Sequence, residues 1–149
     1  MITIMVDTSE IDKMLVDISD ALAKAQRVAL HQIGNSVMKY TREAFKNPNL
    51  RPSPWEPRKD KARHPLLLRS TTMWRSIVYR VTAPDTVEVG TSAKYAPYHQ
   101  FGTKHIPARP FFPIDKYGNL TPDAQKLITH KVQSAYAKAL EKLGEVTWM

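Results

Sequence analysis

The chain has no cysteine, which removes a disulfide framework, thiol catalysis and any thiolate metal site together. Nowhere do about 18 apolar residues run together, so the sequence predicts no membrane span. The opening Met1-Ile2-Thr3-Ile4-Met5-Val6-Asp7 lacks the basic flank and long apolar stretch of an export signal, and cytoplasmic synthesis is the expectation. A nucleophile elbow, a phosphate loop, a dinucleotide fingerprint and paired catalytic carboxylates are missing too. His99 and His105 are six apart, and His31, His64 and His130 are scattered with no carboxylate at ligand spacing. The sequence therefore predicts no enzyme, no metal and no other cofactor.

Composition supports a folded chain. Its 149 residues, 42% of them hydrophobic, fit one domain with one core, residues 1–149. Acidic side chains are scarce: 14 Asp and Glu against 22 Lys and Arg give a formal charge of +8. That surplus favours contact with nucleic acid or an acidic protein surface, and its sign alone does not choose between them.

Ile2, Ile4 and Val6 alternate with Thr3, Met5 and Asp7, which predicts a short strand. From Thr8 or Ser9 the period changes, and Ile11, Leu15, Ile18, Leu22, Ala25, Ala29, Ile33, Val37, Tyr40 and Ala44 form one apolar stripe. This predicts a long helix, capped by Thr8 or Ser9, with Glu10 and Asp12 at its positive end and Asn47-Pro48 stopping it. Gly34 in its interior predicts a bend or a close helix contact.

Further on, Ser70 to Trp74 reads as a capped helical turn. Ile77, Tyr79 and Val81, then Val87 and Val89, predict two strands joined through Ala83-Pro84-Asp85-Thr86 as an antiparallel hairpin. Pro97 opens a short helix that Gly102 ends. Phe111 to Ile114 offer a last strand, and Leu127 to Leu143 a second amphipathic helix that Gly144 ends. The order predicts an α+β domain, with the long N-terminal helix and the C-terminal helix packed on one face of a small antiparallel sheet.

Between Asn47 and Pro65 five prolines alternate with basic residues. Proline removes donors and biases its predecessor toward extended backbone, so a long, mobile loop, residues 47–65, is expected here. Arg51, Arg58, Lys59, Lys61, Arg63, His64, Arg69 and Arg75 gather in sequence around Trp55. Cations with an aromatic among them also describe a basic nucleic-acid-binding module, which stands as the alternative reading.

One ordered series of features goes further. Trp55 sits in the basic loop; Leu67-Leu68 lead into a Ser/Thr turn and Ser76-Ile77; Val87-Glu88-Val89-Gly90-Thr91 follow; then come YAPYHQFG (Tyr95 to Gly102) and IPARPF (Ile106 to Phe111). From Trp55 to Ile114 the chain resembles the phage virion morphogenesis family, the tail-completion and head-to-tail joining proteins of tailed phages. Thr71 stands where that family usually has Gly, and Met73 where Leu is common, so the turn before the hairpin is expected to be a helical cap with ordinary φ. The spacer between Gly102 and Pro107 is short, a minimal form of a feature that varies in length.

The resemblance implies a virion protein of the neck or tail end, assembled in the bacterial host cytoplasm, that completes or caps the tail and joins it to the head. It implies a closed ring of about six copies, with tail tube and connector or portal proteins as partners, possible contact with packaged DNA, and no membrane. Tyr98 and Phe101, three apart, are expected to bury one aromatic face, while His99 and Gln100 point elsewhere to hydrogen-bond a neighbouring loop. Arg109, stiffened by Pro107 and Pro110, suits a carboxylate or a row of carbonyls. The predicted assembly interface is Trp55, Arg58, Lys59, Lys61, Arg63, Tyr98, His99, Gln100, Phe101, Arg109 and Phe111.

Overall fold

The computed structural model describes residues 3–5 and 9–147. Helix α1 (Ser9–Ala44) has 36 residues, about 54 Å at 1.5 Å per residue. From Ala25 onward its apolar stripe works as predicted, with Ala25, Ala29, Val37 and Ala44 buried, and Leu30 is buried beside it. Alanines let a second helix approach closely, and α4 (Pro122–Thr147) runs back along them. Asp123 at its start lies near Tyr40, where burial first and this carboxylate second raise the phenol's pKa. Leu143 near its end shares a groove with Asp17 and Ala21. The two helices are therefore antiparallel, and α4 packs mainly along α1.

The sheet is one hairpin, β1 (Val78–Ala83) and β2 (Thr86–Gly90), turning at Pro84-Asp85 as predicted. Tyr79 faces Val89 and Val81 faces Val87, with the register slipping between Val81 and Ala83. Tyr79, Val81, Val87 and Val89 alternate with exposed neighbours, as one covered face requires. Helix α1 covers it, and Gly34 is where the two meet. A Cβ there would stand 2.7 Å from Tyr79 Cγ and 2.8 Å from Val87 Cγ2. The expected close contact is thus made with the hairpin, not with another helix.

A short helix α2 (Thr72–Arg75) precedes the hairpin and another, α3 (Ala96–Phe101), follows it. Everything converges on the C-terminal end of α1, where Phe45, Trp55, Met73, Ile77, Ala96 and Phe111 form the core. The Phe45 ring meets Trp55 edge-on at 6.1 Å and Phe111 at 4.9 Å. Arg42 fastens α1 to the start of the hairpin by donating to the carbonyl of Ile77 at 2.7 Å, and Trp74 Nε1 donates back to the Arg42 carbonyl at 3.0 Å.

Three local expectations need correction. Thr71 takes φ 58°, the left-handed region, and makes no side-chain cap, so the turn before α2 is not an ordinary helical cap. Phe111 to Ile114 form no strand; only an isolated bridge pairs Ile114 with Leu120. Pro110 and Pro113 have no N–H to give, and the amides of Phe111 and Phe112 are bound to a side chain. Thr3, Ile4 and Met5 are not in a strand, while Ile2, Val6 and the Thr8 cap lie outside the described residues.

Candidate functional site

The parts of the YAPYHQFG and IPARPF pattern, separate in sequence, form one hydrogen-bonded unit. Pro97 opens α3, and Gly102 ends it at φ 73° with Ala108 close by: a Cβ on Gly102 would lie 2.8 Å from the Ala108 nitrogen. The chain then folds back, with Thr103 N–H donating to the Ile106 carbonyl at 2.8 Å and Arg109 N–H to the His99 carbonyl at 2.6 Å. Gln100 closes the unit. Its Oε1 accepts from the amides of Phe111 at 3.0 Å and Phe112 at 2.9 Å, with only 5% of the residue exposed.

Gln100 bonds the neighbouring loop as expected, but helix α3 does not bury Tyr98 and Phe101 as the sequence predicted. Gln100 faces inward, and His99 is half-buried with its Nδ1 lacking a partner among the described residues. Burial first, then the nearby Arg109 cation, hold the His99 imidazole below its ordinary pKa and favour the neutral ring. The aromatics stand outside instead, Tyr98 54% and Phe101 56% exposed, beside exposed Tyr95. The donor count favours this arrangement: the Phe111 and Phe112 amides need an acceptor, and leaving a buried one unpaired costs about 1–3 kcal/mol.

The basic loop is pinned at several points. A 3-10 turn spans Pro48–Leu50 with Asn47 as its cap. Arg51 donates to the carbonyls of Ala44 at 2.7 Å and Phe45 at 3.0 Å, and its guanidinium lies 3.6 Å from the centre of the Trp55 ring. Trp55 is 9% exposed and donates from Nε1 to the Pro110 carbonyl at 2.7 Å. Arg109 meets a row of carbonyls, as its chemistry suggested, but within its own chain: Nε donates to Glu56 at 3.0 Å and a terminal nitrogen to Pro57 at 3.4 Å.

Arg58 is also engaged, with Asp60 at 2.9 Å and with the carbonyls of Ala62 and His64. Of the predicted interface, Trp55, Gln100 and Phe111 are thus buried in the interior of the chain. Arg58, His99 and Arg109 brace it. Tyr98, Phe101, Lys59, Lys61 and Arg63 are on the surface. Trp55 and IPARPF stand in one series because they are one contact, and no periodicity in the sequence signals that hydrogen bond.

A family model describing phage virion morphogenesis matches residues 6–137, nearly the whole chain. The protein belongs to the phage virion morphogenesis family. Its role is accordingly in phage virion assembly, and the bonded unit around Gln100 is where this member's most specific sequence features lie. Neither a curated protein nor a solved structure matches the chain. Among the described residues, no group of three or more His, Asp or Glu is placed to hold a metal, and no helix is long and apolar enough to cross a membrane.

Proposed function

We propose that this virion morphogenesis protein completes or caps the phage tail and joins it to the head at the neck. It would act as a ring of about six copies between the tail tube and a connector or portal protein. The outward turn of α3 carries this reading. Gln100 fixes the helix from inside while Tyr95, Tyr98 and Phe101 face solvent. Rigid aromatic side chains that a fold holds at its surface are the groups most enriched in protein interfaces. They fit an assembly role with no chemistry of its own, neither catalytic nor cofactor-dependent.

A second reading keeps nucleic acid as a partner, because Lys59, Lys61 and Arg63 remain exposed after Arg51 and Arg58 have been engaged internally. Within a neck ring these three cations would meet packaged DNA or acidic tail groups, and steep loss of duplex binding with salt would favour DNA. The main test is genetic. Phage lacking the gene should accumulate filled heads apart from tails, and Tyr98→Ser should fail to restore joined particles while melting like the parent. Normal particles without the gene would overturn the reading.

A further inference from the structure

We propose that the acidic, apolar N-terminal arm of α1 docks into the apolar cleft beside β2 on a second copy of this chain, the copies joining head to tail. This deepens the assembly reading and rests on it.

The arm is a helix whose apolar side is exposed among the described residues. Leu143 of α4 is already level with Asp17 and Ala21, so the first turns of α1 reach beyond most of α4. There Ile11 and Leu15, four apart and on one face, are 54% and 60% exposed, with Met14, Val16 and Ile18 exposed around them. A patch of this kind on a surface helix marks an interaction site more often than chance exposure.

The cleft is the complementary feature. It measures about 730 Å³ between α1, β2, α3 and α4, its wall built from Ile33, Val89, Ala96, Phe112 and Ile128 with Lys94 among the residues lining it. An arm cannot fill its own cleft. Leu15 and Ile33 lie on the same unbroken helix, 18 residues apart, which at 1.5 Å per residue is about 27 Å. An arm seated in this cleft must therefore come from another molecule.

Charge selects a second copy. Residues 1–20 carry five acidic side chains and one basic, a net −4, so a chain of +8 leaves +12 on the remainder. Asp12, Asp17 and Asp20 ride on the arm, the last two in a groove with Lys138 and Lys142 of α4, while Lys94 lines the cleft and Lys116, beside Asp115, an adjoining hollow that shares Gln100 and Phe101. Arm against body is then attractive, and arm against arm is repulsive. Two different surfaces of one chain make a heterologous contact, which repeats from copy to copy and closes into a ring when the rotation allows.

The absence of cysteine makes the test clean. Leu15→Cys and Ser92→Cys, both at exposed positions, the second in the cleft lining, are mixed as full-length proteins under a mild oxidant. A disulfide-linked dimer should form in the mixture, at least tenfold more than from Leu15→Cys mixed with an exposed control, Ser70→Cys. Adding Ile11→Asp and Ile18→Asp to the arm should abolish it without changing the melt. Leu15→Cys linking to itself as readily as to Ser92→Cys would overturn the proposal in favour of paired arms. So would a yield no greater than the control's. If such a protein still restores joined particles, the arm docking fails and the assembly role stands.

Discussion

Gln100 and Phe111, eleven residues apart, are tied by a hydrogen bond of 3.0 Å from a buried backbone amide to a buried side-chain oxygen, and the Phe112 amide shares that oxygen at 2.9 Å. Gln100→Leu keeps most of the volume but strands both amides. It should lower the unfolding free energy by about 2–4 kcal/mol in urea titration. Gln100→Glu retains the acceptor, loses the donor that faces the Phe112 carbonyl at 3.4 Å, and should fall between. Equal losses for Leu and Glu would mean that packing, not these bonds, fixes Gln100.

At Thr71 the left-handed φ of 58° is strained for a side chain with a branched Cβ. Thr71→Gly relieves the strain and loosens the unfolded chain, effects of opposite sign of which the first is larger. A gain of about 0.5–1 kcal/mol is expected, measured as a raised denaturation midpoint at constant slope. Thr71→Ala, which keeps the Cβ, should not reproduce it.

The Pro-rich loop should be cut unevenly by trypsin. Lys59, Lys61 and Arg63 are exposed, whereas the Arg58 guanidinium is held by Asp60 and two carbonyls and Arg51 precedes Pro52. Early fragments seen by mass spectrometry should end at the first three positions and not at Arg51 or Arg58. Trp55→Phe removes the bond to the Pro110 carbonyl and should cost about 1–3 kcal/mol. It should also speed the cuts, because the same contact holds the loop.

Acid should weaken the fold through His99. Burial and then Arg109 place its folded pKa below the ordinary 6.5, so the unfolded chain binds the proton more readily. Its contribution is fully present above about pH 6.5 and is lost as pH falls toward the lower folded value. Asp60 and Asp115 are held low mainly by backbone hydrogen bonds from Ala62 and Asn119, and titrate only below the ordinary carboxylate value of 3.8. Between about pH 6.5 and 5, melting of the parent should therefore decline more than that of His99→Gln. Parallel curves would refute this assignment.

Much of the architecture was legible in the chain because it is local. Periods of three and four placed α1 and α4, period two and Pro84 placed the hairpin, Pro97 and Gly102 bracketed α3, and the ordered motifs pointed to the family. The chemistry of Arg109 was legible too, though its carbonyl row lies in its own chain. The predicted strand at Phe111 to Ile114 was not borne out, because apolar composition does not reveal where backbone donors go.

What the sequence determined by itself was where α1, the hairpin and α3 begin and end, since caps, prolines and periodicity act within a turn or two, whereas α4 runs past Gly144 to Thr147. Which way those elements face was decided only in three dimensions. A six-residue helix is too short for its own pattern to choose a side, and α3 turned Gln100 inward because two amides of a distant segment needed one acceptor. Trp55 went inside for the same kind of reason, its N–H finding the Pro110 carbonyl 55 residues away. Tyr98 and Phe101 were left on the surface once Gln100 had turned inward, since leaving a buried amide unpaired costs about 1–3 kcal/mol.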